Sequence, residues 1–132
     1  PSPFKTSRPG GFSLVELLVV VAILGVLVAI GIPSYQGYLA QTKLQSARNS
    51  LSMIHAAQQQ YKADTGLYCT PAQCGSTAAI VSELFAGQQS IDEQSGYAFS
   101  VTAANAGLSF AAQASNGSVT CSINQTATIT GC

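Results

Sequence analysis

Residues 10–33 read GGFSLVELLVVVAILGVLVAIGIP. From residue 12 to 32 this gives 21 residues carrying a single charge, Glu16. As an α-helix the span covers about 31 Å, enough for the hydrocarbon core of a bilayer. A carboxylate inside such a span costs about 2.5 to 3.5 kcal/mol near its centre, so Glu16 calls for a partner. Gly10 and Gly11 precede the span, behind a short basic stretch holding Lys5 and Arg8. Cleavage after Gly11 would leave a free amine on Phe12, one helical turn from Glu16, and would supply that partner. A secretory signal would have a shorter apolar region with a small-residue cleavage site after it. Here the glycines come first, and Gly31-Ile32-Pro33 is a poor substitute. A plain single-pass anchor accounts for neither the Gly-Gly pair nor Glu16.

Gly11, Phe12, Ser13, Leu14, Val15 and Glu16, followed at matching spacings by Gly25, Pro33, Tyr35 and Tyr38, resemble the type IV pilin family. The resemblance implies that a prepilin peptidase cuts between Gly11 and Phe12, methylates the Phe12 amine and leaves the apolar helix on the mature subunit. It also implies that Glu16 of one subunit neutralises the Phe12 amine of a neighbour in a helical homopolymer. Gly25, Gly31 and Pro33 would allow the helix to kink or melt on assembly, and cytoplasmic ATPases with an inner-membrane assembly platform would drive extension and retraction. The expected organisation is a leader over 1–11, a transmembrane or filament-core helix over 12–33, and a globular periplasmic or extracellular domain over 34–132. The precursor would sit in the inner membrane and the product in an extracellular pilus used for adhesion, twitching motility or DNA uptake. Beyond Tyr38 the resemblance is one of organisation only.

Charge is sparse. The chain has five Lys/Arg and five Asp/Glu, and loss of the leader would leave Lys43, Arg48 and Lys62 against Glu16, Asp64, Glu83, Asp92 and Glu93. No basic patch results, which argues against strong nonspecific nucleic-acid binding, because phosphate contacts need clustered cations. Basic residues before the span and none just after it place the N-terminus in the cytoplasm and the rest across the membrane. The four cysteines, Cys69, Cys74, Cys121 and Cys132, all lie in the translocated part, where disulfides persist. Three pairings are possible. Cys69 with Cys74 and Cys121 with Cys132 each close a local loop, and the second resembles the C-terminal disulfide loop of pilins. The spacings do not read as a zinc site.

The helix should continue past Pro33. Leu44, Ala47, Leu51, Ile54 and Tyr61 recur at three-four spacing, while Lys43, Arg48, Gln59 and Lys62 lie off that stripe. The first half is apolar all round and the second half amphipathic, as suits a helix that leaves lipid to pack on a sheet. Pro33 removes a backbone hydrogen bond, and Gly25 and Gly31 are weak helix formers, so a kink is expected there. The helix should end at Asp64-Thr65-Gly66. Residues 67–95 read as an irregular connection with the loop Cys69-Thr-Pro-Ala-Gln-Cys74 and one short helix over 78–85, capped by Ser76 or Thr77. Period-two alternation follows at Tyr97, Phe99 and Val101, at Leu108 and Phe110, at Val119, Cys121 and Ile123, and at Ala127 and Ile129. Turn signals at Asn105-Ala-Gly107, Asn116-Gly117 and Asn124-Gln125 separate them. The expected fold is α+β: a long N-terminal helix packed on a four-stranded antiparallel sheet.

No catalytic constellation, cofactor motif or metal site is legible. His55 beside the Ile54 stripe reads as a satisfied helix histidine, and Asp92-Glu93 as a solvated turn rather than a calcium site. Asn116 and Asn124 head N-glycosylation patterns, but on turns where Asn is expected anyway. Tyr35, Tyr38 and Tyr61 read as packing residues. The expected function is that of a structural pilus subunit. The alternatives are a pseudopilin of a type II secretion system, disfavoured because residues 119–132 carry no carboxylate side chain, and a competence or minor pilin that binds DNA. A membrane-tethered enzyme lacks a nucleophile and base.

Overall fold

A computed structural model describes residues 3–4, 10–88, 91, 95–103 and 105–132 of the chain. Lys5, Arg8, Asp92 and Glu93 lie outside the described residues. The chain divides into two compact units, Pro1–Tyr38 and Leu39–Cys132, so the division falls a few residues beyond Pro33.

The first helix, α1, runs Leu14–Thr65 and contributes to both units. In the first unit its large apolar side chains are uncovered on every side, with Leu14, Val15, Val19, Leu24, Leu27 and Ile30 all at least half exposed. Water disfavours such a surface strongly, and a length of this composition meets the requirement for crossing a bilayer. Residues 25–33 are helical throughout, with Pro33 inside α1.

In the second unit the three-four stripe of α1 is buried. Ala47, Leu51 and Ile54 are fully covered, and Leu44 and Tyr61 flank the core partly buried. Ser50 and Gln58 are buried on the same face. The helix ends where a glycine can take a positive φ: Gly66, at 90°, donates its N–H to the Lys62 carbonyl and turns the chain. Two short helices follow, α2 at Pro71–Cys74 and α3 at Thr77–Leu84. Ser76 caps α3, its hydroxyl accepting from the Ala79 N–H at 3.2 Å. The loop between the first two cysteines contains one helical turn, begun by Pro71, where the missing N–H costs nothing.

Strands β1 (Ala98–Ala103), β2 (Ala111–Ser115), β3 (Thr120–Asn124) and β4 (Ile129–Thr130) form an antiparallel meander in the order β1-β2-β3-β4. Phe99 and Val101 of β1, Ala112 and Ala114 of β2, and Cys121 and Ile123 of β3 turn inward onto the α1 stripe. β1 is an edge strand, and Thr77 at the start of α3 blocks part of that edge. Its hydroxyl accepts from the Phe99 N–H at 2.9 Å and lies 3.4 Å from the Phe99 carbonyl.

The sheet differs from its sequence pattern in two places. Leu108 is exposed and Phe110 is buried just before β2, so the strand itself presents only alanines inward. Asn105, Ala106, Gly107 and Leu108 form the tight turn, with Ala106 and Gly107 both at positive φ and the Leu108 N–H donating to the Asn105 carbonyl. Ala127 is likewise a turn residue, at φ 62°, which shortens β4 to two residues.

Candidate assembly helix and nucleic-acid surface

Just before α1, Gly10, Gly11 and Phe12 lie outside regular secondary structure and are exposed, Phe12 to 86%. The approach to the Gly11-Phe12 bond is thus uncovered. Glu16 has hydrogen-bond partners at the start of its own helix. The Ser13 N–H donates to Glu16 Oε2 at 2.8 Å, and the Glu16 N–H donates to Ser13 Oγ at 3.2 Å. This is a reciprocal capping box, with the carboxylate at the positive end of the helix dipole. The Ser-x-x-Glu spacing of residues 13–16 was the available signal for it. Ser13 therefore sets where the single carboxylate of the span sits.

In the second unit, the disulfides join Cys69 to Cys74 and Cys121 to Cys132, with Cα atoms 6.0 and 5.2 Å apart, and there are no free cysteines among the described residues. The first is moored to α1 by Gln58, a polar residue at the spacing of the apolar stripe. Its side chain is fully buried; Oε1 accepts from the Cys69 N–H at 2.8 Å and Nε2 donates to the Cys69 carbonyl at 3.2 Å. One amide thus satisfies both backbone groups of a residue with no solvent access. The second disulfide fixes the last residues against β3. There Gly131, at φ 89°, passes so close to Thr120 that a Cβ would collide with the Thr120 carbonyl.

All three Lys/Arg residues beyond Pro33 are on α1. Arg48 Nη2 donates to the Cys132 carbonyl at 3.1 Å, while its Nε is buried without an acceptor. His55 Nε2 lies 3.0 Å from the Gln125 carbonyl. A carbonyl can only accept, so the ring proton sits on Nε2. Gln59 Nε2 approaches the same carbonyl at 3.5 Å and accepts through Oε1 from the Tyr68 hydroxyl at 3.4 Å. Lys62 Nζ stands 4.6 Å over the Tyr68 ring, which packs on Phe110 at 4.8 Å between centroids. Arg48 thus borders the C-terminal residues and His55 and Gln59 the β3–β4 turn, and Lys62 follows on the same side of α1, beside Tyr68.

Other candidates resolve locally. Asn116 Oδ1 accepts from the Ser118 and Val119 N–H groups, and Asn124 Oδ1 from those of Thr126 and Thr128, so both asparagines build their own turns. Tyr35 and Tyr38 are exposed in the first unit, and Tyr61 packs at the rim of the core. Among the described residues, no group of three His, Cys, Asp or Glu is placed to hold a metal ion.

Comparison with known proteins places these features. Residues 6–32 match the family described as the prokaryotic N-terminal methylation motif, and residues 33–126 that described as type IV minor pilin ComP, DNA uptake sequence receptor. The chain is 37% identical over 71 residues to the fimbrial protein EcpC of Eikenella corrodens, covering 54% of this chain and 46% of that protein. A fimbrial protein of Pseudomonas aeruginosa is 49% identical over 47 residues, 36% of this chain and 30% of its own. The type IV major pilin protein PilA of Myxococcus xanthus (strain DK1622) is 38% identical over 61 residues, 46% of this chain and 28% of its own. The chain thus spans less than half the length of these curated relatives. No solved structure matches it. The exposed apolar helix with its Gly-Phe junction and the α1-on-sheet domain are both accounted for by these matches, the second covering well over half of the sequence: the chain belongs to the type IV pilins, in the family described as type IV minor pilin ComP, DNA uptake sequence receptor.

Proposed function

We propose that this chain is a non-enzymatic subunit of a type IV pilus, held in the inner membrane as a precursor, cut and methylated at Phe12 by a prepilin peptidase, and polymerised through its apolar helix. The observation that carries the proposal is the first half of α1, apolar and uncovered on every side, with one carboxylate at its start. Lipid can cover this surface in the membrane, and identical helices can cover it in a filament, with little change in apolar environment. The Ser13 cap holds Glu16 at the helix start until a neighbour's Phe12 amine arrives. Gly25, Gly31 and Pro33 are the weak points at which the helix can yield during assembly, and an ATPase-driven platform supplies the force. Extracellular Cys69–Cys74 and Cys121–Cys132 bridges fit the oxidising side of the membrane.

The test is recovery of the subunit from sheared cell surfaces and from the membrane fraction, with antibody against the 39–132 unit. The chain should appear in both. Its absence from sheared filaments while it is abundant in the membrane would overturn the filament reading and leave a membrane anchor. A DNA-receiving role in uptake is the more specific reading within this proposal, and the match of residues 33–126 to a DNA uptake sequence receptor family favours it.

A further inference from the structure

Resting on the DNA-receptor reading, we infer that the phosphate backbone of duplex DNA lies along the line Arg48, His55, Lys62 on α1, beside the β3–β4 turn. Placement by charge leaves few choices. Phosphate contact is dominated by cations, and between residues 33 and 126 the only Lys/Arg residues are Lys43, Arg48 and Lys62, all on α1. Arg48, His55 and Lys62 follow at seven-residue steps. At 3.6 residues per turn they fall within about 40° of one another, spaced about 10 Å apart over about 21 Å. That length matches about six base pairs at 3.4 Å of rise per residue of one strand.

The line is polar and reachable. Lys62, Gln59 and Ser52 are exposed, His55 and Arg48 half-buried, and Gln125, Thr126 and Thr128 of the turn are exposed beside them. The contacts with Gln125 and Cys132 fix His55 and Arg48 in position. Asp64 lies about 200° round the helix from Lys62 and is engaged by Gln60 at 3.2 Å. Lys43 lies about 140° from Arg48, on another face.

The experiment measures binding of a fluorescent DNA duplex to the full chain in neutral detergent, by anisotropy from 50 to 200 mM salt. With two fixed cations on the line, affinity should fall about tenfold across that range. Lys62→Gln should reduce the fall to about threefold, His55→Arg, which keeps a donor for the Gln125 carbonyl, should steepen it to about fortyfold, and Lys43→Gln should leave it unchanged. Wild-type binding whose salt dependence responds to Lys43→Gln but not to Lys62→Gln or His55→Arg would overturn this placement and leave the receptor reading standing. No binding by wild type at 50 mM salt would overturn the receptor reading and the placement together.

Discussion

Replacing Gln58 by Met should destabilise the 39–132 unit more than any other single change of similar volume on the helix. The side chain is fully buried and makes two hydrogen bonds, at 2.8 and 3.2 Å, to the backbone of Cys69, itself without solvent exposure. Methionine keeps the volume and removes both partners. Each orphaned buried backbone group costs about 1 to 3 kcal/mol, and the gain from burying a thioether instead of an amide offsets about 1 kcal/mol. The net loss is about 3 kcal/mol, which for a unit of this size lowers Tm by about 10 to 20 °C. Thermal unfolding of the full chain in detergent, followed by circular dichroism under oxidising conditions, reads it directly. A Tm within about 3 °C of wild type would refute the reasoning. Gln58→Glu supplies a check on sign. Its second oxygen would face the Cys69 carbonyl, which favours the protonated form in the folded state. The folded state then binds the extra proton, so this variant should regain stability relative to wild type as pH falls, and lose it as pH rises.

Three further outcomes follow from geometry already described. Ala106→Asn should stabilise by about 0.5 kcal/mol, because Ala106 sits at φ 52° in a turn that favours Asn, and chemical denaturation would register the gain; a loss would contradict the turn assignment. Gly131→Ala should cost about 2 kcal/mol or more, since the new Cβ meets the Thr120 carbonyl at a positive-φ site, and its Tm should drop while both disulfides still form. Glu16→Gln should keep an acceptor for the Ser13 N–H and so keep the helix cap, whereas Glu16→Ala loses cap and charge together, at about 1 kcal/mol for the cap. If the charge is what assembly uses, both variants should insert normally and both should be depleted from sheared filaments; a Gln variant that assembles like wild type would mean the cap is the residue's whole role.

The elements whose physics is periodic were readable in the sequence. The apolar span, the stripe Ala47, Leu51, Ile54 and the inward positions Phe99, Val101, Cys121 and Ile123 all appear where their spacing puts them. What escaped was set by partners rather than by residue type. Gln58 continues the stripe at the right spacing, but only the Cys69 backbone makes a polar side chain welcome there. The alternation of Leu108 and Phe110 resembles a strand, yet the tight turn at Ala106 and Gly107 claims Leu108 and delays β2 to Ala111. The cap made by Ser13 and Glu16 is legible as Ser-x-x-Glu, although the cost of a charge in an apolar span points equally to an intermolecular partner. The line of Arg48, His55 and Lys62 is visible only once α1 is known to be unbroken across those positions.

The central claim is that this chain is matured at the Gly11-Phe12 junction and built into a filament through its N-terminal helix. Intact-mass and N-terminal fragment analysis of the subunit from purified, sheared filaments tests it most directly. The account predicts a subunit that starts at Phe12, carries a methyl group on the Phe12 nitrogen, and holds Cys69–Cys74 and Cys121–Cys132 in disulfides. A filament subunit that retains the peptide upstream of Phe12, or that has an unmethylated residue other than Phe12 at its N-terminus, would contradict it.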